Sequence, residues 1–104
     1  MILSVIIPCC DERDTLDEIV GRVLAADTLG LDLNVIIVDD GSSDGSFEAA
    51  QALAAEHDPV RAFRHPVNRG KGAAVRTGLA EAKGDIVLIQ DADLEYDPAD
   101  YARL

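Results

Sequence analysis

The chain has 104 residues, 48% of them hydrophobic and 28% charged, with a net charge of −11 and two adjacent cysteines, Cys9 and Cys10. That length supports one domain, residues 1–104, with a single core. The composition excludes a disordered or fibrous chain. The acidic balance excludes a nucleic-acid binder, which needs a basic footprint.

In chain order, the opening MILSVIIP is apolar but lacks a basic start and a small-residue cleavage site, so it reads as a buried strand over 3–7 rather than a leader. Neighbouring cysteines suit neither a disulfide framework nor a zinc site, and a cytoplasmic setting is expected. Leu16, Ile19, Val20, Val23 and Leu24 follow helical spacing, with Asp14 or Thr15 as N-cap and Gly30 near the exit. A second strand covers 35–38. A helix over about 44–56 carries Phe47, Ala50, Leu53 and Ala54 on one stripe, with Ser43 or Asp44 capping it and Gly41 making the turn. A weaker strand at 60–64 belongs near a sheet edge. The next helix, about 72–82, presents Val75, Leu79 and Ala82 and ends with Gly84 at C′. The strand at 86–89 is continuous and β-branched, like the first two, as strands buried on both faces should be. Asp97-Pro98 reads as the N-cap and first position of a fourth helix. No run is long enough to span a bilayer.

Strands alternating with helices imply an α/β fold, a Rossmann-like parallel sheet with right-handed crossovers. The expected strand order is 3-2-1-4, with the switch point between the first and fourth strands. Ligands bind at the carboxyl edge of such a sheet. The loops at 8–12, 39–43, 65–71 and 91–95 all reach that edge, so Glu12, Asp39, Asp40, Asp91, Asp93 and Glu95 are expected in one crevice, with Arg69 and Lys71 close by.

The stretch IVLIQDADLEYDP (86–98) runs an apolar strand into four carboxylates. Packed like charges raise one another's pKa values unless compensated, so the segment is either a solvated loop or a cation site. Asp91-Ala92-Asp93 is a DxD motif whose hard oxygen ligands suit Mg²⁺ or Mn²⁺. An EF-hand is excluded, because Tyr96 stands where glycine is required and Ala102 where glutamate is. The glycines around Lys71 match neither a dinucleotide fingerprint, since Val75 replaces the third glycine, nor a P-loop, since Gly72 follows the lysine. A receiver-type phosphoacceptor domain would carry its acidic pair after the first strand, whereas Asp39-Asp40 follows the second. Five of the nine basic residues fall within 61–76, and taken alone they make a solvated face.

The segments SVIIPCCDE, VIIVDDGSSDGS, NRGKGAAVRTG and GDIVLIQDADLEYDP, in this order and spacing, resemble the nucleotide-binding half of the inverting GT-A enzymes of glycosyltransferase family 2. The resemblance runs in particular to the dolichol- or polyprenyl-phosphate mannosyl- and glucosyltransferase branch, and covers essentially the whole chain. It implies that Pro8, Cys10 and Glu12 line a base pocket and that Val38 and Asp40 hold base and ribose. It also implies that Asp91, Ala92 and Asp93 hold the diphosphate and its metal, with Glu95 a further ligand where the family commonly has glutamine. Lys71 is expected on the phosphates. The implied donor is a GDP- or UDP-sugar, and the implied acceptor a polyprenyl phosphate or a saccharide, with a longer form at the inner membrane face. Cys10-Asp11 stands where the family usually has Tyr-Asn, so aromatic packing on the base is absent. The acceptor half and its catalytic base are expected beyond Leu104. The alternative function is a nucleotide-sugar-binding module without catalysis. A truncated sheet face is expected to drive self-association.

Overall fold

Runs of branched apolar residues buried on both faces lay down the centre of the sheet. The structure, a computed structural model, describes residues 1–92. Strands β1 (Ile2–Cys9), β2 (Asp32–Asp40), β3 (Val60–His65) and β4 (Ile86–Ile89) pair in parallel in the order β3-β2-β1-β4, as expected. Helices α1 (Arg13–Ala25), α2 (Ser46–Glu56) and α3 (Lys71–Glu81) make the crossovers. The expected helix at Asp97-Pro98 lies outside the described residues.

The pleat sends alternate residues to opposite faces. Leu3, Val5, Ile7, Val35 and Ile37 meet Leu16, Ile19, Val20 and Val23 of α1 and Ala49 and Ala50 of α2 in the main core. On the other face Ile36 and Val38 meet Ala74 of α3, with Phe63 and Ala82 partly buried beside them.

Three expectations need correction. The buried face of α3 is Ala74 and Gly78, whereas Leu79 is 50% exposed. A Cβ on Gly78 would sit 2.5 Å from Ile6 Cγ2, so only glycine lets the helix lie this close to β1. Gly84 is not a C′ residue. The C-cap is Ala82 in extended conformation, and a Cβ on Gly84 would meet the Ser4 backbone N at 2.7 Å. Finally, β4 is not buried on both faces. It pairs only with β1 among the described strands, leaving Ile86 41% and Ile89 52% exposed.

The helix starts also differ. The N-caps are Glu12 for α1 and Gly45 for α2, and neither side chain caps its own helix. The two loops supply each other's partners instead. The Asp11 N–H donates to Ser42 Oγ (2.8 Å) and Asp11 Oδ1 accepts from the Ser43 N–H (2.8 Å). The Glu12 N–H donates to Ser46 Oγ (3.1 Å) and the Arg13 N–H to Asp44 Oδ2 (3.1 Å). Asp44 Oδ1 also accepts from the Ser46 N–H (3.0 Å), so one carboxylate serves both helix starts, where negative charge is favourable. Hydrogen bonding from Ser46, opposed by burial and joined by the backbone donors, holds the Asp44 carboxyl below its ordinary value.

Candidate functional site

At the carboxyl edge of the sheet the strand ends enclose a cavity of about 310 Å³. Pro8, Cys10 and Glu12 line it from the end of β1, and Asp40 from the end of β2. Asn68, Gly70 and Lys71 form the wall that leads into α3, and Asp91 and Ala92 close it beyond β4.

Adjacent carboxylates at the end of β2 part company because the pleat alternates. Asp39 is fully buried on the α1 side, accepting from the Ser42 N–H (3.1 Å) and lying 3.7 Å from Cys9 Sγ. It does not join the crevice, contrary to the sequence expectation. Asp40 turns to the α3 side, where β3 pairing sets it opposite His65. Its Oδ1 accepts from His65 Nδ1 (2.9 Å) and the Arg69 N–H (2.8 Å), and Oδ2 from the Gly70 N–H (2.8 Å). Burial pushes this carboxyl up. The bonds from the Arg69 N–H, His65 and the Gly70 N–H together outweigh that, so it lies below the ordinary carboxylate value. With Asp40 ionised, His65 Nδ1–H is the donor, and Nε2 faces Thr77 Oγ1 at 2.7 Å. Strand β2, strand β3 and helix α3 are thereby tied to the loop that leads into Lys71.

From the start of α3, Lys71 Nζ pairs with Asp91 Oδ1 across the mouth of the crevice. Lys71 is 61% exposed and Asp91 22% exposed, so the pair is open to solvent on the lysine side. Cys10 faces the same space, with Asn68 Nδ2 donating to its sulfur at 3.2 Å. Burial and the neighbouring carboxylates push the Cys10 thiol up, against the lowering effect of Asn68, and burial with Asp39 beside it pushes Cys9 far up. Both are therefore neutral thiols, which rules them out as thiolate nucleophiles at neutral pH.

Seven of the expected site residues thus line one cavity: Pro8, Cys10, Glu12, Asp40, Lys71, Asp91 and Ala92. Val38 does not, being fully buried against Ile36 and Ala74. Arg69 contributes its backbone N–H to Asp40, and its side chain is outside the lining. Asp93 and Glu95 lie outside the described residues. Among the described residues no group of three His, Cys, Asp or Glu side chains is placed to hold a metal ion. Sequence reasoning passed over His65, Thr77 and Asn68. The signal for His65 was its spacing of two from Phe63 on β3, which sets its side chain on the α3 face that Asp40 also takes.

Comparison with known proteins gives the following. A family model described as "Glycosyl transferase family 2" matches residues 4–104. A dolichol-phosphate mannosyltransferase of Pyrococcus furiosus is 40% identical over 98 residues, covering 94% of this chain and 27% of that protein. An undecaprenyl-phosphate 4-deoxy-4-formamido-L-arabinose transferase of Edwardsiella ictaluri is 39% identical over 105 residues, 98% of this chain and 32% of that one. The chain therefore spans under a third of the length of these curated relatives. Among solved structures, a mannosyltransferase of Pyrobaculum calidifontis in complex with GDP-Man and Mn²⁺ superposes with a TM-score of 0.82 at 31% identity. It covers 94% of this chain and 29% of that one.

Proposed function

The chain belongs to glycosyl transferase family 2, and from that premise we propose that its crevice binds a nucleotide diphospho-sugar with a divalent cation, Mn²⁺ or Mg²⁺, for inverting transfer to a polyprenyl-phosphate or saccharide acceptor. The observation that carries this reading is the facing of Asp91 and Lys71 across a crevice at the switch point between β1 and β4. In it, Pro8, Cys10 and Glu12 receive the base, Asp40 the ribose side, and Lys71 the phosphates. The N-terminal end of α3 favours the same anion. Structure neighbours holding GDP-Man with Mn²⁺ and relatives named for polyprenyl phosphates support the donor and acceptor classes. A polyprenyl-phosphate acceptor would bring the reaction to the cytoplasmic face of a membrane. No helix among the described residues is long and apolar enough to cross one.

The donor set suits a hard cation. Asp91 already holds one positive charge, that of Lys71. An incoming diphosphate meets Glu12, Asp40 and Asp91 in the cavity wall, and each like-charge approach at about 4 Å costs on the order of 4 kcal/mol at an effective dielectric near 20. Asp91 and Asp93, with Glu95, would hold a cation that shares the phosphates, a mode that needs only one or two protein carboxylates. When bound there, such a cation would neutralise the diphosphate and would supply Lewis-acid chemistry for the leaving nucleoside diphosphate.

Titration calorimetry with GDP and UDP, with Mn²⁺ and with chelator, tests this. Binding should depend on the metal, with only a weak affinity left in chelator, and Asp93→Ala should remove that dependence along with most of the affinity, while Asp97→Ala leaves binding nearly intact. Equal affinity with and without chelator would return the acidic segment to a solvated loop. Because they span under a third of their relatives, these 104 residues alone are proposed to bind the donor without transferring sugar. Release of labelled sugar to an acceptor by this chain would overturn that part.

A second copy of the chain is proposed to cover β4. Ile86, Val87 and Ile89 expose 36–52% of their surface there, and unpaired strand edges template association. Sedimentation at tens of micromolar should show dimers or larger species. A single monomeric boundary would count against it.

A further inference from the structure

The acidic segment enters the described structure through its first two residues, and they are held differently. Asp91 lines the crevice and pairs with Lys71. Ala92 borders the same cavity but is only 3% exposed, packed in the main core. Among the described residues, the backbone makes its last bond to the sheet at Gln90, whose N–H donates to the Ile6 carbonyl at 2.8 Å. Two residues later the Ala92 carbonyl accepts a hydrogen bond of 2.5 Å from the hydroxyl of Thr15, on α1 and 77 positions away in sequence.

That hydroxyl has other acceptors in reach, but they are distant. Glu12 O lies at 3.4 Å and Glu12 Oε2 at 3.5 Å, and a single proton goes to the near partner. Thr15 is half-buried on the first turn of α1, one residue before the fully buried Leu16. Its branched side chain has few χ1 choices on a helix, so the hydroxyl is held in place before any ligand arrives. A residue on a helix locked into the core therefore grips the backbone at the point where the chain leaves the sheet.

We propose that Thr15 is a positioning residue: its hydroxyl fixes the backbone at Ala92 so that Asp91 is presented to the crevice. The effect on metal and donor rests on the functional reading above, whereas the grip on Asp91 does not. Thr15 is not among the residues that line the crevice. It acts through the carbonyl of Ala92, in the way that groups behind a metal ligand orient the ligand itself.

Thr15→Val keeps the shape and removes the hydroxyl, and Thr15→Ser keeps the hydroxyl. Two measurements on the same variants separate the two levels. Without ligand, NMR of the Asp91 side-chain carboxyl and the Ala92 carbonyl carbon should shift in Thr15→Val and return to the wild-type values in Thr15→Ser. With GDP or UDP, calorimetry should show the affinity in Mn²⁺ falling roughly tenfold in Thr15→Val, recovering in Thr15→Ser, and unchanged binding in chelator. Unshifted resonances in Thr15→Val would overturn the proposal at its root. Shifted resonances with equal losses in Mn²⁺ and chelator would overturn the metal-directed role and leave a purely structural contact. If wild-type binding ignores Mn²⁺, the functional reading fails, and the ligand-free resonances still decide whether Thr15 holds Asp91.

Discussion

Gly41→Ala is expected to destabilise the fold by roughly 3 kcal/mol and, with it, to remove the nucleotide binding proposed for the crevice. Gly41 sits at φ +74°, in the left-handed region that costs an L-residue about 1–2 kcal/mol. The added Cβ would lie 2.5 Å from the Asn68 backbone N and 2.8 Å from the Val67 carbonyl carbon, and overpacking of that kind costs about 1–3 kcal/mol. These neighbours are main-chain atoms in a loop hooked to Asp40 through the Arg69 and Gly70 N–H groups, so they cannot swing aside. Gly45→Ala is the comparison. Its φ is +90°, but nothing lies within 4 Å of the added Cβ, and only the backbone strain remains. Urea unfolding followed by circular dichroism should rank Gly41→Ala well below Gly45→Ala. Equal losses would mean that the approach of the two loops carries no packing cost.

Asp40→Ala should be nearly as damaging, at about 3 kcal/mol. It strips the acceptor from the His65 ring and from two backbone N–H groups, and each buried donor left unpaired costs about 1–3 kcal/mol, partly relieved where water reaches the loop. The pH dependence has a definite sign. A carboxyl whose folded pKa lies below its ordinary 3.8 contributes stability that is fully present above that value and fades as pH falls through the lower folded one. Acid unfolding of the wild-type chain should therefore steepen below pH 3.8, and Asp40→Asn, which cannot titrate, should show a shallower acid limb. An acid limb unchanged in Asp40→Asn would show that other carboxyls govern it.

The strand order and the gathering of Pro8, Cys10, Glu12, Asp40, Lys71 and Asp91 at one edge were legible because they follow from the alternation of strands and helices. Burial of β4 was not. A run such as Ile86–Ile89 records that a strand is apolar, not whether a neighbour covers it. The face of α3 was hidden for the opposite reason. Hydrophobic periodicity follows large side chains, and it pointed to Val75 and Leu79, while the close approach to Ile6 is made by what Gly78 lacks. The caps of α1 were sought among its own residues, but its first N–H groups are met by Ser46 and Asp44, more than 30 positions on. Asp39 and Asp40 look equivalent as letters, and only the pleat separates the one that reaches the crevice from the one that does not.

The cross-linking of the first two loops bears on how this end of the molecule opens. Local unfolding proceeds in cooperative units rather than residue by residue. Because Asp11, Glu12 and Arg13 are bonded to Ser42, Ser43, Asp44 and Ser46, neither loop can fray without releasing the donors and acceptors of the other. The two therefore form a single opening unit, and their amide hydrogens exchange with solvent together. The crevice wall formed by Pro8, Cys10 and Glu12 inherits that shared rigidity from a neighbouring loop that contributes little to the lining.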